Sequence, residues 1–266
     1  QGMNAAQGVV LITSAAAAGA VNSVAGGGTM LTFPALLWSG EAARIANATS
    51  TVALWPGQLS SLLGYRKEIG NSQATILALA GPSLVGGFAG ARLLLGTSNQ
   101  TFEKIVPFLI LGATLLFIAQ EPLSRKLRSR ALSAEPDATD AAPHRHSFGA
   151  WAGMILFQLV VAIYGGYFGA GIGILMLAAL GMMQFRNIHQ MNGLKNINGL
   201  CINLVAAVMF VENRLVDWRL ASIMAAASVV GGYTGAGAAR RIGQSNVRKL
   251  VIAIGLGLTV SLFVRR

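Results

Sequence analysis

Charged residues are scarce in this chain, and acidic residues are scarcer than basic ones. Only 11% of its 266 residues are charged, with 9 Asp and Glu against 20 Lys and Arg. Soluble domains carry about 25% charged residues. Because 54% of the residues are hydrophobic and apolar stretches recur along the whole length, the composition predicts an all-α polytopic membrane protein embedded in a lipid bilayer.

The predicted membrane spans contain no Asp or Glu, and this absence argues against most enzyme chemistry. The spans also lack paired histidines at metal-ligand spacing and a nucleophile with a neighbouring base. The one cysteine, Cys201, makes neither an intrachain disulfide nor a thiolate cluster. No phosphate-binding loop of nucleotide hydrolases occurs. We therefore expect no enzyme activity, no bound metal and no cofactor.

The net charge of +11 does not indicate nucleic-acid binding. The basic residues lie almost entirely at predicted helix ends and in loops, where they act as topology signals. No basic helix and no basic patch interleaved with aromatic residues is present. We expect no nucleic-acid partner.

Three consecutive glycines, Gly26 to Gly28, interrupt the first apolar block, which runs from Gly8 to Trp38. Glycine has the most backbone freedom to lose in a helix, so this run favours unwinding. As one helix, the 31 residues of the block would reach about 46 Å, whereas a bilayer core is about 30 Å thick. The sequence leaves two alternatives open, a broken crossing helix and a re-entrant hairpin.

A second, weaker break lies at Gly169 to Gly173, inside an apolar block from Gly149 to Met183. Placing Gly169 on Gly26 aligns the two blocks at a constant offset of 143 residues, 169 minus 26. This predicts two homologous halves, each with a glycine-broken first helix or re-entrant hairpin followed by three transmembrane helices. The halves are residues 1–119 and 148–266, the polar linker is 120–147, and the helices are expected at 45–64, 74–95, 104–119, 188–211, 218–240 and 247–264.

Lys195 is the only lysine or arginine placed well inside a predicted span. The acidic residues of the second half that could pair with it all lie in loops. A charge inside the membrane costs roughly 2.5 kcal/mol or more unless it faces a cavity and finds a partner. One interpretation is that an anionic substrate is that partner. The alternative is that Lys195, less than two turns from its helix start, snorkels to the interface.

The predicted helices 45–64 and 188–211 each carry polar residues three or four apart, so these residues share one face. Two broken helices beside two such polar helices are typical of a transporter binding site at a repeat interface. A helix that restarts after a break points its free N–H groups and positive dipole end into the cavity. His189 is a candidate proton relay, and its position near a helix start suits an interfacial cap equally well. The candidate substrate-binding residues are Asn22, Gly26, Gly27, Gly28, Thr29, Asn47, Ser50, Gln58, Gly169, Gly171, Asn192, Lys195 and Asn196.

The run from Gly19 to Thr29, followed by Leu31 and Pro34, resembles the opening motif of the TauE/SafE sulfite exporter family, also called the TSUP family. The runs Gly165 to Gly173 and Gly231 to Ala236 resemble the repeats of that family. The resemblance covers nearly the whole chain outside the linker. The chain departs from the family pattern between residues 189 and 195, where family members typically have small, uncharged residues.

The resemblance implies a multi-pass permease of the bacterial inner membrane for sulfur-containing anions, such as sulfite, sulfonates or thiosulfate-like compounds, and for other small organic acids. We expect a secondary transporter whose partners are a small anion and the lipid bilayer, with a homodimer left open. The alternatives are an uncoupled anion channel and a membrane-embedded sensor or enzyme. Because alternating access commonly uses inverted repeats, we favour the hairpin arrangement, which places the linker in the cytoplasm.

Overall fold

The computed structural model describes residues 4–24, 26–63, 73–132, 148–182, 188–242 and 244–264. All regular structure in these ranges is α-helical, which confirms the predicted fold class. The ten helices are α1 Ala5–Val24, α2 Thr29–Trp38, α3 Ala43–Leu63, α4 Gln73–Gly96, α5 Asn99–Leu132, α6 Phe148–Tyr167, α7 Ile172–Met182, α8 Ile188–Glu212, α9 Trp218–Ile242 and α10 Gln244–Val264.

Four of the described helices are long and apolar enough to cross a membrane. They contain the segments Ala5–Ser23, Gln73–Gly96, Asn99–Ala119 and Gln190–Glu212. Their apolar side chains face outward as well as inward. Val9 of α1 and Leu77 and Phe88 of α4, for example, are more than half exposed. A helix that is hydrophobic all round belongs in a membrane or a large core, so the polytopic prediction is also confirmed.

The described helix α5 is longer than the sequence suggested. It continues through residues 120–132, which belong to the polar segment predicted as the linker. The stretch contains the good helix formers Glu, Leu, Arg, Lys and Ala, and its one proline, Pro122, does not end the helix. The rest of the predicted linker, residues 133–147, lies outside the described residues.

The first apolar block folds as a hairpin, here called hairpin 1 (α1, the turn at residues 26–28, and α2). The side-chain amide nitrogen of Gln7, near the start of α1, donates to the carbonyl oxygen of Ser39, just after α2, across 3.4 Å. A crossing helix broken only at its middle would hold these two residues tens of ångströms apart. α2 therefore runs back along α1, and of the two alternatives the structure contains the hairpin.

The second block has the same form and is called hairpin 2 (α6, the turn at residues 168–171, and α7). A Cβ on Gly165, near the end of α6, would lie 3.1–3.3 Å from the side chains of Ile202 and Ile172, and Ile172 begins α7. Nearer the other ends of the two helices, Met154 of α6 and Leu180 of α7 belong to one buried cluster. The two helices are therefore antiparallel.

Glycines bring helices of the two halves into close contact. A Cβ on Gly231 of α9 would overlap the carbonyl oxygen of Ala16 in α1. A Cβ on Gly232 would overlap the carbonyl oxygen of Gly57 in α3. Small residues of this kind let helix backbones approach each other in membranes. Through them α9, from the second half, packs against α1 and α3 of the first half.

Helix α4 makes the reciprocal contacts. A Cβ on Gly86 would lie 2.7 Å from the carbonyl oxygen of Leu159 in α6. A Cβ on Gly87 would lie 2.9 Å from the carbonyl oxygen of Ile202 in α8. Thus α4 packs on α6 and α8 as α9 packs on α1 and α3. An internal repeat produces such a pattern, although the homology of the halves stays a prediction.

The polar helices α3 and α8 run antiparallel and meet near their midpoints. The backbone N–H of Asp217, which follows α8, donates to the hydroxyl oxygen of Thr49 near the start of α3, at 3.0 Å. Halfway along, the indole N–H of Trp55 in α3 donates to the carbonyl oxygen of Leu200 in α8, at 3.3 Å. Hairpin 1 packs against α3, and hairpin 2 packs against α8.

Candidate functional site

A small cavity of about 30 Å³ lies where both hairpin turns meet α3 and α8. A water molecule needs roughly 10–15 Å³ measured in this way, so the cavity has room for about two. It is lined by Asn22, Gly26, Gly27, Thr29, Thr51, Leu54, Gln58, Gly169, Ile172, Gly173, Met176, Lys195, Asn196, Gly199 and Asn203. Eight of the predicted site residues are therefore brought together: Asn22, Gly26, Gly27, Thr29, Gln58, Gly169, Lys195 and Asn196.

The hairpin turns require glycine because of their backbone conformation and their close approach. Gly26 and Gly27 have φ of 77° and 97°, and Gly169 and Gly171 have φ of 79° and 80°. Residues with a Cβ rarely adopt this left-handed conformation. A Cβ on Gly27 would also overlap the ring of Phe117 from α5. The glycine runs are thus needed to form the turns and to keep them thin.

The N-terminus of α2 has fewer free N–H groups than the sequence analysis expected. The N–H of Gly28 donates to the side-chain oxygen of Asn22 at 2.7 Å. The N–H groups of Met30 and Leu31 donate to the carbonyl oxygens of Gly27 and Gly28, both at 2.9 Å. Tight bonds of this type satisfy helix ends. The backbone of the first turn is therefore largely occupied, and side chains supply more of the donor capacity.

Lys195 points into the protein and does not snorkel to the surface. Its side chain is 3% exposed and lines the cavity. Its ammonium donates to the backbone carbonyl oxygen of Asn22 across 3.2 Å. Among the described residues this is the only hydrogen bond its side chain makes, and no carboxylate lines the cavity. An ammonium has three donors, so two are left for another partner.

Asn196, the next residue of α8, adds a second donor. It is 6% exposed and lines the cavity. Its side-chain nitrogen is buried and has no hydrogen-bond partner in the described part of the chain. An unpaired buried polar group costs about 1–3 kcal/mol, so such a group calls for an explanation. A ligand that accepts hydrogen bonds would satisfy it.

The remaining lining of the cavity mixes polar and apolar groups. Asn203 of α8 donates its side-chain N–H to the side-chain oxygen of Gln58 in α3 at 3.0 Å. Thr51 donates its hydroxyl to the carbonyl oxygen of Asn47 one turn earlier. Leu54 and Met176 supply apolar surface. The cavity lining therefore combines the donors Lys195 and Asn196 with a partly apolar surface.

The structure does not bring five predicted site residues to the cavity lining. Gly28 and Ser50 are bonded elsewhere, Ser50 to the hydroxyl of Thr32 at 2.6 Å. Asn47 donates to the carbonyl oxygen of Tyr167 at 3.0 Å. Asn192 and Gly171 are close in sequence to residues that line the cavity, but they do not line it themselves. The backbone of the sixth, His189, belongs to α8, and its side chain lies outside the described residues.

Seven further residues line the cavity without having been selected from the sequence: Thr51, Leu54, Ile172, Gly173, Met176, Gly199 and Asn203. Helical spacing offered a signal for several of them. Gly199 and Asn203 follow Lys195 at intervals of four, so they share its face of α8. On α3, Leu54 lies four residues before Gln58 and Thr51 lies seven before it, so these three residues also share a face. Ile172 and Met176 carried no polar signal and were not predictable in this way.

These features define a multi-pass membrane protein with a small, donor-rich cavity between two hairpins. The profile of the family described as "Sulfite exporter TauE/SafE" matches residues 11–262, so the chain belongs to this family. The resemblance inferred from the glycine motifs is thus confirmed. The family is one of membrane transporters, which also confirms the expectation that the chain is not an enzyme.

Curated relatives agree with this assignment. A "Probable membrane transporter protein" of Haemophilus influenzae is 25% identical, over 91% of this chain and 89% of the relative. "Probable membrane transporter protein YfcA" of Escherichia coli strain K12 is 23% identical over 95% and 88%. "Probable membrane transporter protein ORF9" of Sinorhizobium sp is 24% identical over 95% and 90%. No solved structure matches the chain significantly.

Proposed function

We propose that this chain is a secondary transporter that moves small sulfur-containing anions, such as sulfite, sulfonates or thiosulfate-like compounds, across the bacterial cytoplasmic membrane. The transporter class follows from the family. The choice of an anion as the substrate rests on two neighbouring donors, the Lys195 ammonium and the Asn196 amide. Both residues are buried, and no carboxylate lines the cavity beside them. The sulfur chemistry rests on the name of the family.

The cavity suits an oxyanion because its free groups are donors. Two N–H groups of Lys195 and the side-chain N–H groups of Asn196 have no acceptor among the described residues. The oxygens of an oxyanion accept several hydrogen bonds, and such bonds between charged partners are about twice as strong as neutral ones. A single ammonium with no carboxylate nearby also offsets one negative charge.

The two short helices, α2 and α7, add a positive electrostatic potential to that of the Lys195 ammonium. α2 begins at Thr29 and α7 begins at Ile172, and both residues line the cavity. The N-terminal end of a helix carries a partial positive charge, which stabilises an anion within the first turn. Because most N–H groups at the start of α2 are already bonded, this contribution acts mainly through the dipole, with direct bonds coming from Lys195 and Asn196.

Small organic acids are a second candidate substrate class. The cavity lining also includes the apolar side chains of Leu54, Ile172 and Met176. These side chains would pack against a short apolar substituent on the anion, whereas a fully inorganic anion would offer them no apolar ligand atom to contact. A sulfonate or carboxylate with one or two carbons would use both the donors and the apolar surface.

The test is a thermal-shift panel on purified protein with sulfite, thiosulfate, methanesulfonate, acetate and dicarboxylates. A ligand that binds only the folded protein stabilises it in proportion to its occupancy. We expect a rise in Tm with at least one sulfur anion, and uptake of that anion by proteoliposomes that saturates and responds to an imposed proton gradient. A rise in Tm only with acetate or dicarboxylates would indicate organic acids as the substrates. A flux that rises linearly with substrate concentration and does not respond to the proton gradient would indicate a channel.

A further inference from the structure

We infer that two hydrogen bonds, Lys195 to Asn22 and Asn47 to Tyr167, close opposite ends of the cavity, and that a bound anion competes for only the first. The closure rests on geometry alone. The competition rests on the proposed function, because it requires an anion beside Lys195. Lys195 and Asn47 are then positioning residues for the two hairpin turns, in addition to the substrate role of Lys195.

The first bond fixes the turn of hairpin 1 to α8. The ammonium of Lys195 donates to the carbonyl oxygen of Asn22, which lies in the last turn of α1. The side-chain oxygen of the same asparagine accepts the N–H of Gly28. Asn22 thus holds the turn through its side chain and is itself held by Lys195 through its backbone. Lys195 is 7 residues after the start of α8 at Ile188, within its second turn.

The second bond fixes the turn of hairpin 2 to α3 in the same manner. The side-chain N–H of Asn47 donates to the carbonyl oxygen of Tyr167, the last residue of α6, at 3.0 Å. Asn47 is 4 residues after the start of α3 at Ala43. Its side chain is 1% exposed, and its side-chain oxygen has no partner among the described residues. The contact is therefore buried and rests on one neutral bond.

The two bonds lie at opposite ends of the cavity because α3 and α8 are antiparallel. The start of α3 lies beside the segment after α8, as the bond between Asp217 and Thr49 shows. Each bond is made by the early turns of its helix. The cavity residues between them, such as Thr51 and Gly199, belong to the middle turns. Breaking one bond would free one hairpin turn and one end of the cavity.

The two hydrogen bonds differ in charge, because the donor of the first is the Lys195 ammonium and the donor of the second is the neutral Asn47 amide. An anion in the cavity therefore affects them differently. The acceptor of Lys195 is a neutral carbonyl. An anion that accepts from the two remaining donors attracts the whole ammonium more strongly than that carbonyl does, so it draws the ammonium away from Asn22. Asn47 does not line the cavity and cannot reach that anion. Substrate therefore weakens the closure at the end where α8 begins and leaves the closure at the end where α3 begins intact.

The test measures the access of a thiol reagent to the cavity from each membrane face. The single cysteine is removed with Cys201→Ser, and Thr51→Cys places a reporter of similar size in the cavity lining. Labelling by a membrane-impermeant maleimide is followed in right-side-out and inside-out vesicles. Lys195→Met and Asn47→Leu each remove one closure. Thr13→Val is the matched control, because the hydroxyl of Thr13 bonds only within its own exposed helix turn.

We expect Asn47→Leu to raise the labelling rate about 2- to 12-fold from one face, the range for loss of one neutral hydrogen bond. Lys195→Met should raise it from the opposite face, by more, and Thr13→Val should leave both rates unchanged. The closure is refuted if both variants act on the same face or if neither changes labelling, even when a thermal shift still shows anion binding.

The competition has its own readout. Adding sulfite or methanesulfonate to the parental reporter should raise labelling from the face opened by Lys195→Met and not from the other face. No directional change with any anion that shifts Tm would refute the competition while leaving the proposed function standing. Absence of any thermal shift over the panel, together with opposite-face effects of the two variants, would instead count against the proposed function.

Discussion

Gly26 and Gly173 touch where the two hairpin turns meet: a Cβ on Gly26 would lie 2.8 Å from the Cα of Gly173. The contact is backbone against backbone, so a side chain at Gly26 would have no room. Phe33 of α2 packs edge-on against Phe168 of the other turn, with ring centroids 5.4 Å apart. The hairpins are thus docked to each other directly, and the cavity lies beside this contact.

Substituting Gly27 should abolish transport without preventing membrane insertion. In Gly27→Leu the side chain meets the Phe117 ring and the backbone must hold a φ of 97°, while the added hydrophobicity still favours the membrane. We expect normal amounts in the membrane fraction and no substrate flux in proteoliposomes. Gly112→Leu is the control, because a Cβ there meets nothing within 4 Å. Transport at the parental rate by Gly27→Leu would contradict the assignment of this turn.

Removing the unpaired amide of Asn196 should separate binding from stability. Asn196→Ala deletes a buried donor without a described partner, so Tm in the absence of substrate should stay the same or rise. Anion affinity should fall about 10- to 150-fold, because hydrogen bonds to charged groups contribute about 1.5–3 kcal/mol. Thermal unfolding and titration calorimetry measure the two effects.

Asn198→Ala is the matched control for Asn196→Ala. Its amide donates to the carbonyl oxygen of Leu194 at 2.9 Å, and its side-chain oxygen accepts from Ser83 at 3.2 Å. It does not line the cavity. This variant should lower Tm and leave anion affinity unchanged. The account of Asn196 fails if the two variants lose stability equally, or if Asn196→Ala binds the anion as tightly as the parent.

Glu41, in the connection between α2 and α3, should make stability depend on pH. Partial burial, and next the nearby Asp217 carboxylate, raise the pKa of the Glu41 carboxyl above its usual range. The folded protein then binds this proton more tightly than the unfolded chain, whose pKa is about 4.3. Stability therefore falls as pH rises through that pKa toward the raised value, and the loss is complete above the raised value.

Glu41→Gln removes that loss, so its Tm should exceed the parental Tm near neutral pH and approach it below about pH 4. Thermal unfolding in detergent at a series of pH values measures the difference. Asp217→Asn should give part of the same gain, since Asp217 is the smaller of the two causes. A Tm difference that is equal at every pH would show that Glu41 acts through packing and not through its charge.

The sequence located the cavity because its main signals are local. The glycine runs mark the turns, and residues three or four apart on α3 and α8 mark a shared face. Helical periodicity predicts which face of a helix a residue occupies, but not whether the residue lies level with the cavity along the helix axis. Asn47 and Thr51 share a face of α3, yet only Thr51 reaches the cavity, whereas Asn47 bonds to Tyr167. That difference depends on where hairpin 2 ends, which is a tertiary contact.

The hairpin could not be derived from the sequence for a related reason. Gly26 to Gly28 allow the chain either to continue or to reverse, and both outcomes keep the same apolar pattern. What distinguishes them is the contact of Gln7 with Ser39, between residues 32 positions apart. The occupied N–H groups at the start of α2 were equally hidden, because the bond from Gly28 to the Asn22 side chain exists only after the reversal.

The most direct test of the anion site is the affinity of Lys195→Met for the anion identified by thermal shift, measured by calorimetry. This variant keeps the length and apolar stem of the side chain and removes its charge. The account predicts an affinity about 10- to 150-fold below the parental value, with only partial recovery in Lys195→Arg because a guanidinium is larger and differently shaped. An affinity of Lys195→Met equal to that of the parent would contradict it.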